Sequence, residues 1–235
     1  MAEIRESYDV KADASRVYEV LRRGGVAIVP YDIAYTMQSA TDDALRRAYA
    51  AKQRSYDRAS GIVGNGDIQE AVHILSDRDR RIIRSIAQDH NLPFSVIAPF
   101  RAEHPFMKAL TPFLLQMGTK DGTVNFLLNA GPLRDEIAAL SWEDRFPILA
   151  STANRSMRGT KYRLQDIEPE VVAAADITLD YGTARHAHPK GLSSTQIDFR
   201  TMKVVRWGLF FDRIAEIMRD EFGVMLEARP SHLHA

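Results

Sequence analysis

The run from Gly24 to Arg54, GGVAIVPYDIAYTMQSATDDALRRAYAAKQR, compresses two strands and a helix into one stretch and so restricts what can be built around it. Val26 to Val29 is an apolar run bounded by glycines and Pro30, the pattern of a buried strand. Over Tyr31 to Ser39 the alternation of Ile33, Tyr35 and Met37 predicts a second strand. Thr41 can cap a helix whose first turn carries Asp42 and Asp43, charges suited to the positive end of its dipole. Leu45, Ala48, Tyr49 and Lys52 share roughly one face, so Lys52 and Arg54 emerge at its C-terminal end, where cations are favoured. Spacing alone leaves these two open to a bland reading, as solvated cations of a helix cap.

The remaining pattern mixes strands and helices in both orders. A helix is expected over 11–23, capped by Asp13 or Ser15, with Val17, Val20 and Leu21 buried. A strand at 61–64 precedes helices at 67–75 and 77–88, and a strand at 93–100 precedes a helix at 104–115 begun by Pro105. Strand 123–128, helix 132–140 and strand 147–151 follow; then come a short helix over 168–175 and strands at 176–180, 193–199 and 202–207. A helix at 211–221 leads to a tail, 224–235, expected to fray. With no repeat and no Pro/Ser-rich linker, residues 1–223 read as one open α/β domain with a mixed sheet.

Composition removes several function classes. A chain of 235 residues can bury one large core, and 45% hydrophobic with 26% charged residues is ordinary for a globular protein. Lysine plus arginine equals aspartate plus glutamate at 31 each, which argues against wrapping nucleic acid by bulk charge but allows a local basic patch. The absence of cysteine removes disulfides, thiolate catalysis and cysteine-held metal. No apolar signal core or membrane-length run is present, so a soluble, cytoplasmic protein is expected.

Four segments then carry a resemblance. Pro30-Tyr-Asp32-Ile-Ala-Tyr35 followed by a helix ending in Lys52-Gln-Arg54 resembles the threonylcarbamoyl-AMP synthase, or YrdC-like, family. The family's Pro-Thr-Asp-Thr-x-Tyr-Gly segment, helix and Lys-x-Arg stand in that order. Ser151-Thr152-Ala-Asn154 after an apolar strand, with Gly159 beyond it, is similar to the family's Thr-Ser-Ala-Asn-x-Ser-Gly turn. Ser194-Thr-Gln-Ile-Asp198 resembles its Ser-Thr-x-x-Asp strand, and Arg206-Trp-Gly208 its terminal Arg-x-Gly. The resemblance implies a YrdC-like α/β fold, a twisted open mixed sheet with a concave basic face. It also implies ATP as substrate with Mg²⁺, and bicarbonate and an amino acid as co-substrates for a carbamoyl-adenylate used in tRNA modification. By the same carry-over Lys52 and Arg54 are catalytic and, with Ser151, Thr152, Asn154, Ser194 and Arg206, hold ATP.

Physical chemistry supports part of that expectation. Lys52, Arg54, Arg58, Arg155, Arg158, Lys161, Arg163 and Arg206 fall in or beside the matched segments, a dense cationic lining if the fold gathers them. A hydrogen bond to a charged group is worth roughly 1.5–3 kcal/mol, so three or four hold a nucleotide at micromolar levels. The alternative is a scatter of surface charges, and for the Thr152–Asn154 turn, stabilisation by its own side chains. No protein-held metal site is expected: His186 and His188 have strand spacing but no third ligand, and a solvated loop accounts for them.

The departures concern the amino-acid side, where Tyr31, Ile33, Tyr35 and Arg58 are the candidate substrate-binding residues. Tyr31 and Ile33 stand where the family has threonines, and Leu127 stands where it has a strand arginine. Loss of hydroxyl partners changes substrate selection strongly, so threonine itself is in doubt. Two alternatives remain: a non-catalytic module binding nucleotide, tRNA or double-stranded RNA, and carbamoyl transfer to a small metabolite.

Overall fold

The computed structural model describes residues 8–230. Asp9 caps α1 (Val10–Arg22) through a hydrogen bond from Ala12 N, so the helix starts earlier than a cap at Asp13 or Ser15 would allow. Ala14, Val17, Tyr18 and Leu21 are buried, whereas Val20 is only half-buried. The hairpin follows as β1 (Val26–Tyr31) and β2 (Ala34–Ser39), with Tyr31 paired to Ala34. Tyr31 therefore closes the first strand rather than opening the second, and Asp32-Ile33 forms the turn. Thr41 caps α2 (Asp42–Ala51) as its sequence indicates, accepting from Ala44 N.

The next segment runs β3 (Gly61–Ile62), α3 (Gly66–Val72), α4 (Asp77–Arg84) with a π turn at Ser85–Asp89, and β4 (Phe94–Pro99). The helix expected over 104–115 is two helices, α5 (Pro105–Lys108) and α6 (Pro112–Gly118). Pro112 lacks an N–H and disfavours helical backbone at Thr111, which instead caps α6 through Leu114 N. Then come β5 (Thr119–Lys120), β6 (Thr123–Leu128), α7 (Pro132–Glu143) and β7 (Leu149–Thr152). The chain ends through α8 (Pro169–Val172), β8 (Ile177–Thr178), β9 (Gln196–Asp198), β10 (Lys203–Arg206) and α9 (Phe211–Phe222).

Among the described residues these strands make one ten-stranded sheet in the order β10-β9-β4-β6-β3-β7-β2-β1-β8, with β5 hanging on β6. It is mixed: β1–β8, β3–β6 and β4–β9 are parallel and the other pairs antiparallel. Flanking helices bury alternate residues. On β4 and β6, Phe94, Val96, Ala98, Val124, Phe126 and Leu128 join a core with Ile82 of α4 and Ile214 and Ile217 of α9. The intervening Ser95, Ile97, Asn125 and Leu127 face the other way and line an open cleft. Beside the hairpin, Tyr35 and Met37 bury into a second cluster with Ala44 and Ala48 of α2 and Val171 of α8. Both faces of β1 and β2 are covered, and every residue of the two strands is buried.

Residues 224–230 make contacts back to the domain. Val224 is buried, Arg229 donates to Gly208 O and stacks on Phe211, and the Trp207 indole donates to Glu227 O. The rest of the tail, 231–235, lies outside the described residues. No helix among the described residues is long and apolar enough to cross a membrane.

Candidate functional site

The open face of the sheet holds two adjoining lobes, of about 630 and 310 Å³. Arg54, Arg58, Thr152, Ser193 and Arg206 line both, so they form the junction between them. The smaller lobe gathers Lys52, Arg54, Thr152, Asn154 and Arg206 from the ends of α2, β7 and β10. Five residues from segments far apart in the chain thus line one lobe. Ser151 and Ser194 line the larger lobe, beside the junction.

Lys52 is not a solvated cap residue. It is only 2% exposed, and Nζ donates to Ser151 Oγ at 2.6 Å and to Thr152 O. Burial, with a smaller contribution from the Arg54 cation, lowers the Lys52 pKa to about 7. Arg54 is held by Arg58 O and Ala59 O, with its guanidinium carbon 5.4 Å from the Tyr49 ring centre. Arg206 donates from Nε to Ser194 O and from Nη2 to Ser194 Oγ, both at 2.8 Å, and burial lowers its pKa to about 10. Ser194 Oγ in turn lies 2.8 Å from Ser95 Oγ. Asn154 is buried and donates to Arg155 O at 2.6 Å.

The terminal Arg-x-Gly has a steric cause. A Cβ on Gly208 would stand 2.2 Å from Ser193 O, so only glycine lets the chain after β10 pass beside the Ser193-Ser194 backbone. That passage places Arg206 on Ser194. Gly159 sits at φ +76, a left-handed conformation that closes the turn after Asn154.

Two expectations are corrected here. Arg155, Arg158, Lys161 and Arg163 do not line either lobe. Arg155 pairs with Glu170 and Lys161 with Glu168, each at 3.4 Å, and Arg163 donates to Thr183. Tyr35 lies outside the cleft: strand alternation turns it to the opposite face, where its hydroxyl donates to the Asp180 carboxylate at 2.6 Å. Tyr31 and Ile33 do line the larger lobe, and exposed Arg58 lies at the junction.

Arg134, missed in the sequence, lies at the base of the larger lobe and is 1% exposed. Its guanidinium donates to Gly64 O and, at 3.0 Å, to Asp135, and burial lowers its pKa. The available signal was a cation sharing a helix face with Ile137 and Ala138 of α7. Among the described residues no group of three or more histidine, cysteine or acidic side chains could hold a metal ion.

The family model described as telomere recombination, covering Sua5, YciO and YrdC, matches residues 19–208. No curated protein matches the chain. Among solved structures, a hypothetical protein from Streptococcus mutans UA159 superposes with a TM-score of 0.74 at 20% identity, covering 90% of this chain and 92% of its own. E. coli YciO gives 0.64 at 17% identity, with coverages of 85% and 90%. P. abyssi Sua5 complexed with L-threonine gives 0.70 at 18% identity; 95% of this chain is covered but only 61% of that one. At these identities the superpositions establish a shared fold.

Proposed function

The chain belongs to the Sua5/YciO/YrdC family, and from that premise we propose that it condenses a carbamate with ATP to form a carbamoyl-adenylate. One observation carries the reading: Lys52, Arg54, Asn154 and Arg206 line a single lobe that opens onto a second, larger one. The smaller lobe is the right chemistry for a triphosphate. It offers fixed guanidinium donors, a buried amine and neutral hydroxyl and amide groups.

Bicarbonate and an amine give the carbamate with loss of water. A carbamate oxygen then forms a bond to the α-phosphorus while the bond to the β-bridging oxygen breaks, and pyrophosphate leaves. The chain supplies no nucleophile to this sequence. Lys52 and Arg206 neutralise phosphate charge, Arg54 fixes the junction across which the two substrates meet, and Arg58 can hold the acceptor's carboxylate. Magnesium would arrive on the phosphate oxygens, since no carboxylate lines the smaller lobe; Thr152 and Asn154 supply the neutral oxygens there.

Pyrophosphate release from ATP, bicarbonate and a panel of amino acids tests the reading. Release that depends on both bicarbonate and an amino acid, and that Lys52→Ala abolishes in a folded protein, supports it. Unaltered turnover in Lys52→Ala removes Lys52 from the reaction. The absence of release together with a salt-sensitive gel shift of tRNA would instead favour an RNA-binding module.

A further inference from the structure

The larger lobe shows what kind of side chain its occupant carries. If the triphosphate occupies the smaller lobe, the acceptor must reach it across the junction from the larger one, where Arg58 stands at the rim. This placement rests on the reading above. The hairpin end of that lobe is walled by Tyr31, Ile33 and Leu127, and Tyr31 and Ile33 are 4% and 2% exposed. Apart from Asn125 Oδ1, most of the polar side chains at this end already have a hydrogen-bond partner. Tyr31 Oη accepts from Gln38 Nε2 at 2.7 Å, and Arg134 is committed to Gly64 O and Asp135. Thr36 donates to Val29 O, and Ser95 shares its bond with Ser194. A substrate hydroxyl placed against Tyr31, Ile33 and Leu127 would shed water and find few uncommitted groups, whereas methyl groups would bury against Ile33 and Leu127.

We propose that this lobe selects an α-amino acid with an aliphatic side chain that lacks a hydroxyl. L-Valine, which matches L-threonine in shape, is the sharpest comparison. An apolar pocket discriminates against a hydroxyl isostere by about 10²-fold at most, so a preference of about ten- to a hundred-fold is expected. The counter-candidate is Asn125, two residues from Leu127 on the same face of β6, whose buried Oδ1 has no hydrogen-bond partner. Were it to serve a substrate hydroxyl, threonine would outrank valine.

The test is calorimetric binding of L-valine, L-isoleucine and L-threonine to the full-length protein with α,β-methylene-ATP present. Valine or isoleucine binding at least tenfold tighter than threonine supports the proposal. Equal or tighter threonine binding overturns it, as does failure of all three to bind. The variants Ile33→Thr and Leu127→Thr are each expected to narrow the ratio, but the wild-type ranking decides even if neither folds. Pyrophosphate release is measured in parallel. Valine-selective binding without release would sink adenylate formation while leaving the side-chain assignment intact.

Discussion

Lys52 is buried against two neutral oxygens, Ser151 Oγ and Thr152 O, and no carboxylate lines its lobe. Its pKa of about 7 lies below the ordinary lysine value, so the unfolded chain binds more protons between about pH 7 and 10.5. Stability from this residue therefore rises with pH across that window and is lowest below it. A bound polyphosphate should restore the charge. At pH 8, ATP binding is expected to take up a fraction of a proton, seen as a difference in calorimetric enthalpy between buffers of low and high ionisation enthalpy. Lys52→Ala should erase that difference; a buffer-independent enthalpy in the wild type would contradict the assignment. His73 carries a second pH signature. Fully buried between Gln69 and Val124 O, its imidazole is lowered by burial to about 4. The unfolded state gains a proton that the folded state resists, so stability falls as pH drops from about 6.5 to 4, by about 3 kcal/mol at most. Urea midpoints across that range should fall more steeply in the wild type than in His73→Gln. At this scale the cationic residues that meet in the smaller lobe were legible because short motifs fix their neighbours. The pairing of Arg155 and Lys161 was not, because their partners Glu170 and Glu168 come from a separate turn of chain.

The elements that build the site show why local pattern reached only part of the way. The β1–β2 hairpin was visible as two apolar strands, yet its turn was misplaced, because Tyr31 suits a strand on either side of it. That shift separates Ile33, which lies in the turn and lines the cleft, from Tyr35 and Met37, which bury on the opposite face. Backbone alternation sends Tyr35 to the α2 side, and it is the covering elements on both faces that bury every residue of the two strands. Pro112 could have been read as a break in the helix expected over 104–115, since proline in a helix interior removes a hydrogen bond. Two substitutions test the elements. Thr41→Ala removes the cap of α2 and should cost about 1 kcal/mol in urea unfolding. An unchanged midpoint would show that packing alone fixes the helix start. Gly208→Ala forces a Cβ against the Ser193 carbonyl and should cost about 1–3 kcal/mol while weakening ATP binding through the displaced Arg206. Full stability with full affinity would mean that the close approach is not needed.

Across the whole molecule, the site exists because the sheet brings distant segments together. β7 and β2 pair beside the end of α2, while β9 and β10 add to β4 on the far side of the cleft. The motif order made the α/β class and the smaller lobe readable from sequence. The larger lobe was less so, because its walls combine residues of many separate elements, and Arg134 and Asn125 belong to no recurring motif. What unites the molecule's chemistry is the claim that a triphosphate lies across Lys52, Arg54, Asn154 and Arg206. A crystal structure with α,β-methylene-ATP and magnesium tests it most directly. The predicted result is phosphate oxygens within hydrogen-bonding distance of Lys52 Nζ and the Arg206 guanidinium, with the α-phosphate facing the larger lobe. A nucleotide bound elsewhere, with that lobe empty at saturating ligand, would contradict it.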